Sequence, residues 1–165
     1  MTAPARWGRA AGLLLVLWLT VPGILNPLRG DLLGGVNLVF HEAGHVLLIP
    51  AGETLTLLGG SAAQVAVPLA SAFLWRADRF AAGVVRLWLA HALAGVAAYI
   101  RDAPLRRLDL ITGDPDTHDW WQLLGGWNPQ ANGLHLADPL GRFVAFLALA
   151  TLIVSVVLAV WDDLR

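Results

Sequence analysis

The sequence predicts an all-α fold, a bundle of about five transmembrane helices that forms a single integral membrane domain over residues 1–165. Apolar residues make up 57% of the chain and charged residues 14%, against about 25% charged in a typical soluble domain. Each long apolar stretch has at most one charged side chain and is near the roughly 20 residues that a helix needs to cross a bilayer. These stretches predict membrane segments near 10–28, 32–50, 54–75, 80–100 and 140–161.

The first segment has the apolar core of a signal peptide, preceded by Arg6 and Arg9. A small-residue cleavage site does not follow that core, so we expect an uncleaved first span. The positive-inside rule favours a cytoplasmic N-terminus. We expect a multi-pass protein of a cell membrane, of the bacterial inner-membrane type, with the loop 101–139 in the cytoplasm. That orientation places Arg6, Arg9, Arg101, Arg106, Arg107 and Arg142 inside, and Arg29, Arg76, Arg79 and Arg165 outside.

The third segment has features of a broken helix. Residues 52–60, GETLTLLGG, combine turn residues with the threonine alternation of an extended piece. Ser61 and Gln64 fit a capping box at which a helix would begin, and Pro68 would kink that helix. Irregular backbone at membrane depth is tolerated where it lines a cavity. The sequence therefore predicts a segment that is broken or kinked near 54–68 and lines a site.

The second segment contains H-E-A-G-H at residues 41–45, in otherwise apolar surroundings. On a helix His41 and His45 lie about 40° apart, so both imidazoles can bind one metal ion. Glu42 is offset by about 100° and can reach a metal-bound water without being a ligand. Zinc suits such ligands, lowers the pKa of a bound water towards about 7 and polarises a carbonyl. The motif predicts a zinc cofactor with Glu42 as the catalytic base.

A catalytic zinc needs a third protein ligand, and the loop 101–139 contains the candidates. His118 and Asp119 are alternatives, one as the ligand and the other as its hydrogen-bonded neighbour, with a slight preference for His118. Asp116 or Thr117 is expected to cap a short helix, with His118 in its first turn.

Two residues in the membrane segments have two interpretations each. Gln64 could donate to a substrate carbonyl or tetrahedral oxyanion, or it could only complete the capping box. His91 lies in the middle of its segment, where a satisfied contact between helices is expected more than a role in catalysis.

An HExxH motif within a transmembrane helix, here His41 to His45, resembles the site-2 protease type of intramembrane zinc metalloprotease, over roughly residues 32–120. The resemblance implies hydrolysis of peptide bonds in or near the membrane. The substrate would be a membrane protein or peptide that unwinds locally and pairs with the extended piece at 54–58. The third ligand of that family is an aspartate in an LDG-type motif, whereas residues 108–110 here read LDL.

Two other functions would use the same helix. One is a metal-binding or transport protein, and the other is a catalytically inactive structural protein. Glu42 favours hydrolysis, because a metal carrier does not need a glutamate beside the first histidine. The net charge of −1 argues against a nucleic-acid partner, and the absence of cysteine excludes a thiolate metal site.

Overall fold

The structure of the chain, a computed structural model, describes residues 3–163, with the side chains of residues 7–161. The described residues form helices, turns and loops, without a strand. The α-helices are α1 (Ala3–Leu25), α2 (Leu32–Leu48), α3 (Glu53–Leu74), α4 (Arg79–Asp102), α5 (Asp119–Leu123) and α6 (Ala137–Asp163). Short 3₁₀ turns lie at Ile49–Ala51, Pro115–Thr117 and Leu134–Leu136.

Five stretches of the described chain are long and apolar enough to cross a membrane, and each overlaps one of the five long α-helices. The predicted all-α bundle of five membrane segments is therefore confirmed. The stretches are Trp7–Leu25, Leu32–Ala51, Glu53–Leu74, Arg79–Asp102 and Leu134–Trp161.

The third segment differs from the prediction in its first half. Helix α3 begins at Glu53, so the extended piece expected at 52–60 and the helix start expected at Ser61 are both wrong. At membrane depth every backbone polar group needs an internal partner, which favours a helix even over a glycine-rich stretch. The chain turns earlier, at Gly52, whose φ of 94° suits glycine. Pro68 lies inside α3, at the position where a kink was expected.

Helix α4 is the centre of the bundle and packs against α6, α3, α1 and α2. Small residues on α4, among them Ala90 and Ala94, are buried in these contacts. A Cβ added at Gly83 would lie 2.9 Å from the carbonyl oxygen of Ser155 on α6. Small residues therefore allow the close helix packing that a membrane bundle needs.

Helices α2 and α3 also approach closely, at Gly44 and Gly59. A Cβ on Gly44 would collide with the carbonyl group of Gly59, and a Cβ on Gly59 would lie 2.5 Å from the carbonyl oxygen of Gly44. This contact holds His41, three residues before Gly44, and His45, directly after it, against α3.

We expect Gly44→Ala to force α2 and α3 apart, because the added methyl group meets backbone that cannot rotate away. Such overpacking costs about 1–3 kcal/mol. Thermal unfolding of the protein in detergent measures the loss. Gly35→Ala on the same helix is the matched control, because a Cβ there has nothing within 4 Å. Equal melting temperatures for the two variants would show that the close approach is unimportant.

Candidate metal centre

His41 and His45 of α2 and Asp119 of α5 each place one ligand atom within 4.8 Å of the others. The Oδ2 atom of Asp119 lies 2.9 Å from Nε2 of His41 and 3.2 Å from Nε2 of His45. Zinc bonds of about 2.0–2.1 Å place the ligand atoms of a tetrahedral site about 3.3 Å apart. The separations therefore suit three ligands of one zinc ion.

The neighbours of the two Nδ1 atoms set the tautomers of the histidines. Nδ1 of His45 lies 2.7 Å from the carbonyl oxygen of Thr56, which only accepts, so Nδ1 carries the proton. Nδ1 of His41 lies 3.3 Å from Oε1 of Gln64, whose amide nitrogen donates to a backbone carbonyl of α4. In the neutral form that binds a metal, each ring points an Nε2 lone pair at the carboxylate of Asp119. Three electron-pair donors converge there, an arrangement that a cation stabilises.

Gly60 of α3 provides the space beside these atoms. A Cβ at this position would lie 2.5 Å from Nε2 of His41 and 2.6 Å from Nε2 of His45. A side chain at residue 60 would therefore occupy the volume next to both ligand nitrogens. The donor set and the open space both fit a zinc ion.

We expect Gly60→Ala to weaken zinc binding about 10-fold or more, since small displacements of ligands or of the groups that orient them cost affinity on this scale. Competition with a chromophoric chelator measures the zinc affinity. Gly35→Ala again controls for a glycine-to-alanine change within a membrane helix. Wild-type affinity in Gly60→Ala would place the metal elsewhere.

Helix α5 brings Asp119 to the site from the loop 101–139. The backbone N–H of Asp119 donates to the phenol oxygen of Tyr99 at 3.0 Å. The indole N–H of Trp120 donates to the hydroxyl of Ser61 on α3, also at 3.0 Å. These contacts fasten α5 to α4 and α3, and they leave the Asp119 side chain buried beside the histidines.

His118, the slightly preferred third ligand, does not join the group. Its ring is fully buried, and its Nδ1 accepts the backbone N–H of Trp121 at 3.3 Å as the cap of α5. The opposite ring nitrogen, Nε2, lies 3.5 Å from Oδ2 of Asp102. Burial lowers the pKa of His118 below its ordinary value, although the nearby Asp102 and Asp119 act to raise it. His118 therefore holds α5 in place while its neighbour faces the histidines.

The acidic residues before His118 act within the loop. Asp114 caps the turn Pro115–Thr117 by accepting the N–H of Asp116 at 2.9 Å. Asp116 forms an ion pair with Arg106. The expectation that Asp116 or Thr117 caps α5 is wrong, because His118 takes that position.

Glu42 lines a cavity of about 490 Å³ together with His41, His45 and Asp119. Its side chain is exposed, and no hydrogen bond or ion pair engages its carboxylate among the residues that the structure describes. A carboxylate that is not engaged by a neighbour and lines the same cavity as the candidate ligands suits proton transfer.

Gln64 lines the same cavity, and most of its amide is already engaged. The amide oxygen faces His41, and one N–H donates to the carbonyl oxygen of Ala92 at 3.2 Å. A role as a capping-box residue is wrong, because Gln64 lies well inside α3. The oxyanion role stays a prediction, and it depends on the second N–H of the amide.

Sequence reasoning did not identify Tyr99 or Thr56 as parts of the site. Tyr99 is the single tyrosine of the chain and contacts the His41 ring edge-on, with 5.6 Å between ring centroids. Thr56 contributes a backbone carbonyl, a group that no sequence pattern distinguishes. The only signal for Tyr99 was a lone phenol in an apolar segment.

Comparisons of the chain with protein-family models, with curated proteins and with solved structures found no match. The chemistry of the site therefore follows from its own residues and their geometry.

Proposed function

We propose that this chain is a membrane-embedded, zinc-dependent metallopeptidase. The observation that carries the proposal is the convergence of His41, His45 and Asp119 in a cavity that Glu42 also lines, with no partner for the Glu42 carboxylate among the described residues. Zinc, when bound, would polarise a carbonyl group and lower the pKa of a water molecule. A site that only stores or passes a metal ion does not need this additional carboxylate.

Glu42 is the general base in this proposal. Its carboxylate takes a proton from a water molecule in the cavity and then transfers it to the leaving amine. Glu42 follows His41 directly, so the helix directs it about 100° away from the first ligand, beside the metal rather than onto it.

The remaining residues of the site orient the ligands. Gln64 and Thr56 accept from the Nδ1 atoms of His41 and His45 and so direct both Nε2 atoms towards Asp119. With zinc(II) bound, two imidazoles and one carboxylate would leave a net positive charge at the site. That charge would favour both the carbonyl oxygen of a substrate and the carboxylate of Glu42.

The proposed substrate is a membrane protein or peptide. Apolar residues from α2, α3 and the loop, among them Leu38, Leu57 and Ile111, line the cavity beside the polar group. A helical substrate would have to unwind locally, because a helix encloses its peptide bonds in hydrogen bonds. Pairing with an extended segment at 54–58 is not possible here, since these residues belong to α3.

We also propose a location in a cell membrane of the bacterial inner-membrane type, with the N-terminus in the cytoplasm. The distribution of arginines supports this orientation. It places α5 and the metal group towards the cytoplasmic side of the bundle.

The appearance of new N-termini in membrane proteins that are incubated with this protein tests the proposal. The purified protein would be incubated with detergent-solubilised membrane proteins in three forms: zinc-loaded, stripped with a chelator, and reloaded with zinc. We expect new N-termini, detected by amine labelling and mass spectrometry, only in the first and third. Zinc uptake without any new terminus would favour a metal-binding or transport protein. Equal cleavage by the stripped protein would contradict zinc-dependent hydrolysis.

A further inference from the structure

A second buried polar group joins α2 to α4, away from the metal ligands. Nδ2 of Asn37 lies 3.0 Å from Nδ1 of His91, and Nε2 of His91 lies 3.0 Å from Oδ2 of Asp31. The indole N–H of Trp88 donates to Oδ1 of Asn37 at 2.7 Å. His91 and Asn37 are 5% and 3% exposed, so their side chains are largely shielded from bulk water. The expected contact between helices at His91 is therefore present, and it has four members.

The indole N–H of Trp88 determines which group donates and which accepts in each hydrogen bond of this polar chain. An indole N–H only donates, so it meets the carbonyl oxygen of Asn37 and turns the amide NH₂ towards His91. Nδ1 of His91 must therefore accept, and its Nε2–H donates to the carboxylate of Asp31. Asp31 also caps α2 by accepting the N–H of Gly34 at 2.6 Å. These hydrogen bonds can all form with only one orientation of the Asn37 amide and one neutral tautomer of His91.

The polar chain meets α2 close to the candidate metal ligands. Asn37 lies one helical turn before His41, on the same face. Gly44, in close contact with α3, lies just beyond His41 on the other side. The ligand helix is therefore held on both sides of His41, by α3 beyond it and by α4 before it. Asn37 and His91 also line the cavity that contains the metal group.

A small movement of α2 is enough to affect the ligands. An atom about 7 Å from the axis of a helix moves by about 1 Å when the helix rotates by about 10°, whereas a site of this kind tolerates about 0.5 Å. Among the described residues, the contacts of α2 with α1 and α4 are far fewer than those with α3. The polar chain, together with the ring contact between Phe40 and Trp88, is thus a specific restraint between α2 and α4.

We infer that Asn37 and His91 are positioning residues for the metal centre: with Trp88 and Asp31 they set the rotation and depth of α2, and thereby the aim of His41 and His45. The inference rests on the proposed metal site and not on hydrolysis. It separates these residues from an ordinary packing role, because their loss should alter the geometry of the site more than the stability of the bundle.

Cobalt(II) binding to the purified full-length protein in detergent tests the inference, because its visible absorption reports coordination geometry. We expect Asn37→Leu and His91→Leu to weaken cobalt binding about 10-fold and to change the absorption bands. His91→Gln keeps one donor and one acceptor and should restore most of the affinity. Leu87→Ala is the matched control, because Leu87 is fully buried on α4 and packs against α1 and α6. That variant should lose stability while it keeps the wild-type spectrum.

Three results would overturn the inference. Wild-type affinity and spectrum in both leucine variants would show that the polar chain does not aim the ligands, while the metal site itself would stand. Equal changes in Leu87→Ala would reduce the effect to a general loss of stability. No cobalt uptake by the wild-type protein would overturn the metal site, and with it the function proposed above.

Discussion

Alanine at His41, His45 or Asp119 is expected to remove zinc from the protein, from near one ion per chain to almost none. Each substitution deletes one of the three converging ligand atoms, and the two that remain are too few for a stable zinc site. Metal content by mass spectrometry on detergent-solubilised protein, purified after zinc supplementation, measures the effect. A wild-type protein without zinc would contradict the site as a whole.

His118 supplies the control for this experiment. His118→Asn keeps a side chain that can cap α5, so we expect wild-type zinc content and nearly wild-type stability. His118→Ala loses the cap, at a cost of about 0.5–2 kcal/mol of stability, and is expected to keep most of its zinc. If His118→Asn lost zinc and Asp119→Ala kept it, His118 and not Asp119 would be the third ligand.

Glu42→Gln is expected to slow hydrolysis strongly and leave zinc binding intact. A glutamine of the same size keeps the shape of the cavity but cannot accept a proton at neutral pH. General base catalysis contributes about 10²–10⁴-fold to a rate, so cleavage should fall by about that factor. The appearance of new N-termini per unit time measures the rate, with metal content measured on the same sample.

Glu53→Gln is the matched control, since Glu53 is the other glutamate of the chain and is exposed in the first turn of α3. We expect wild-type cleavage from it. Glu42→Gln with wild-type cleavage would remove Glu42 from the mechanism. Loss of zinc in Glu42→Gln would instead make Glu42 a ligand.

The sequence alone determined the elements of this protein whose cause is local. Five apolar stretches of membrane-spanning length became five helices, because in lipid a helix satisfies its backbone hydrogen bonds within itself. The spacing of His41 and His45 placed both rings on one face of α2 for the same local reason. The prediction of an extended piece at 52–60 was wrong, because glycines and threonines indicate a turn in water but not at membrane depth.

Only the tertiary structure decided which residue joins His41 and His45 in the candidate metal group. His118 and Asp119 are neighbours, and either type of side chain can bind zinc, so no local pattern separates them. The choice depends on the fold: His118 caps α5 with Nδ1, its ring turns towards Asp102, and Asp119 is left facing α2. Gly60 and the carbonyl of Thr56 likewise gained their roles from the packing of α3 on α2. Local pattern sets the face of a helix, and long-range packing selects the groups that meet there.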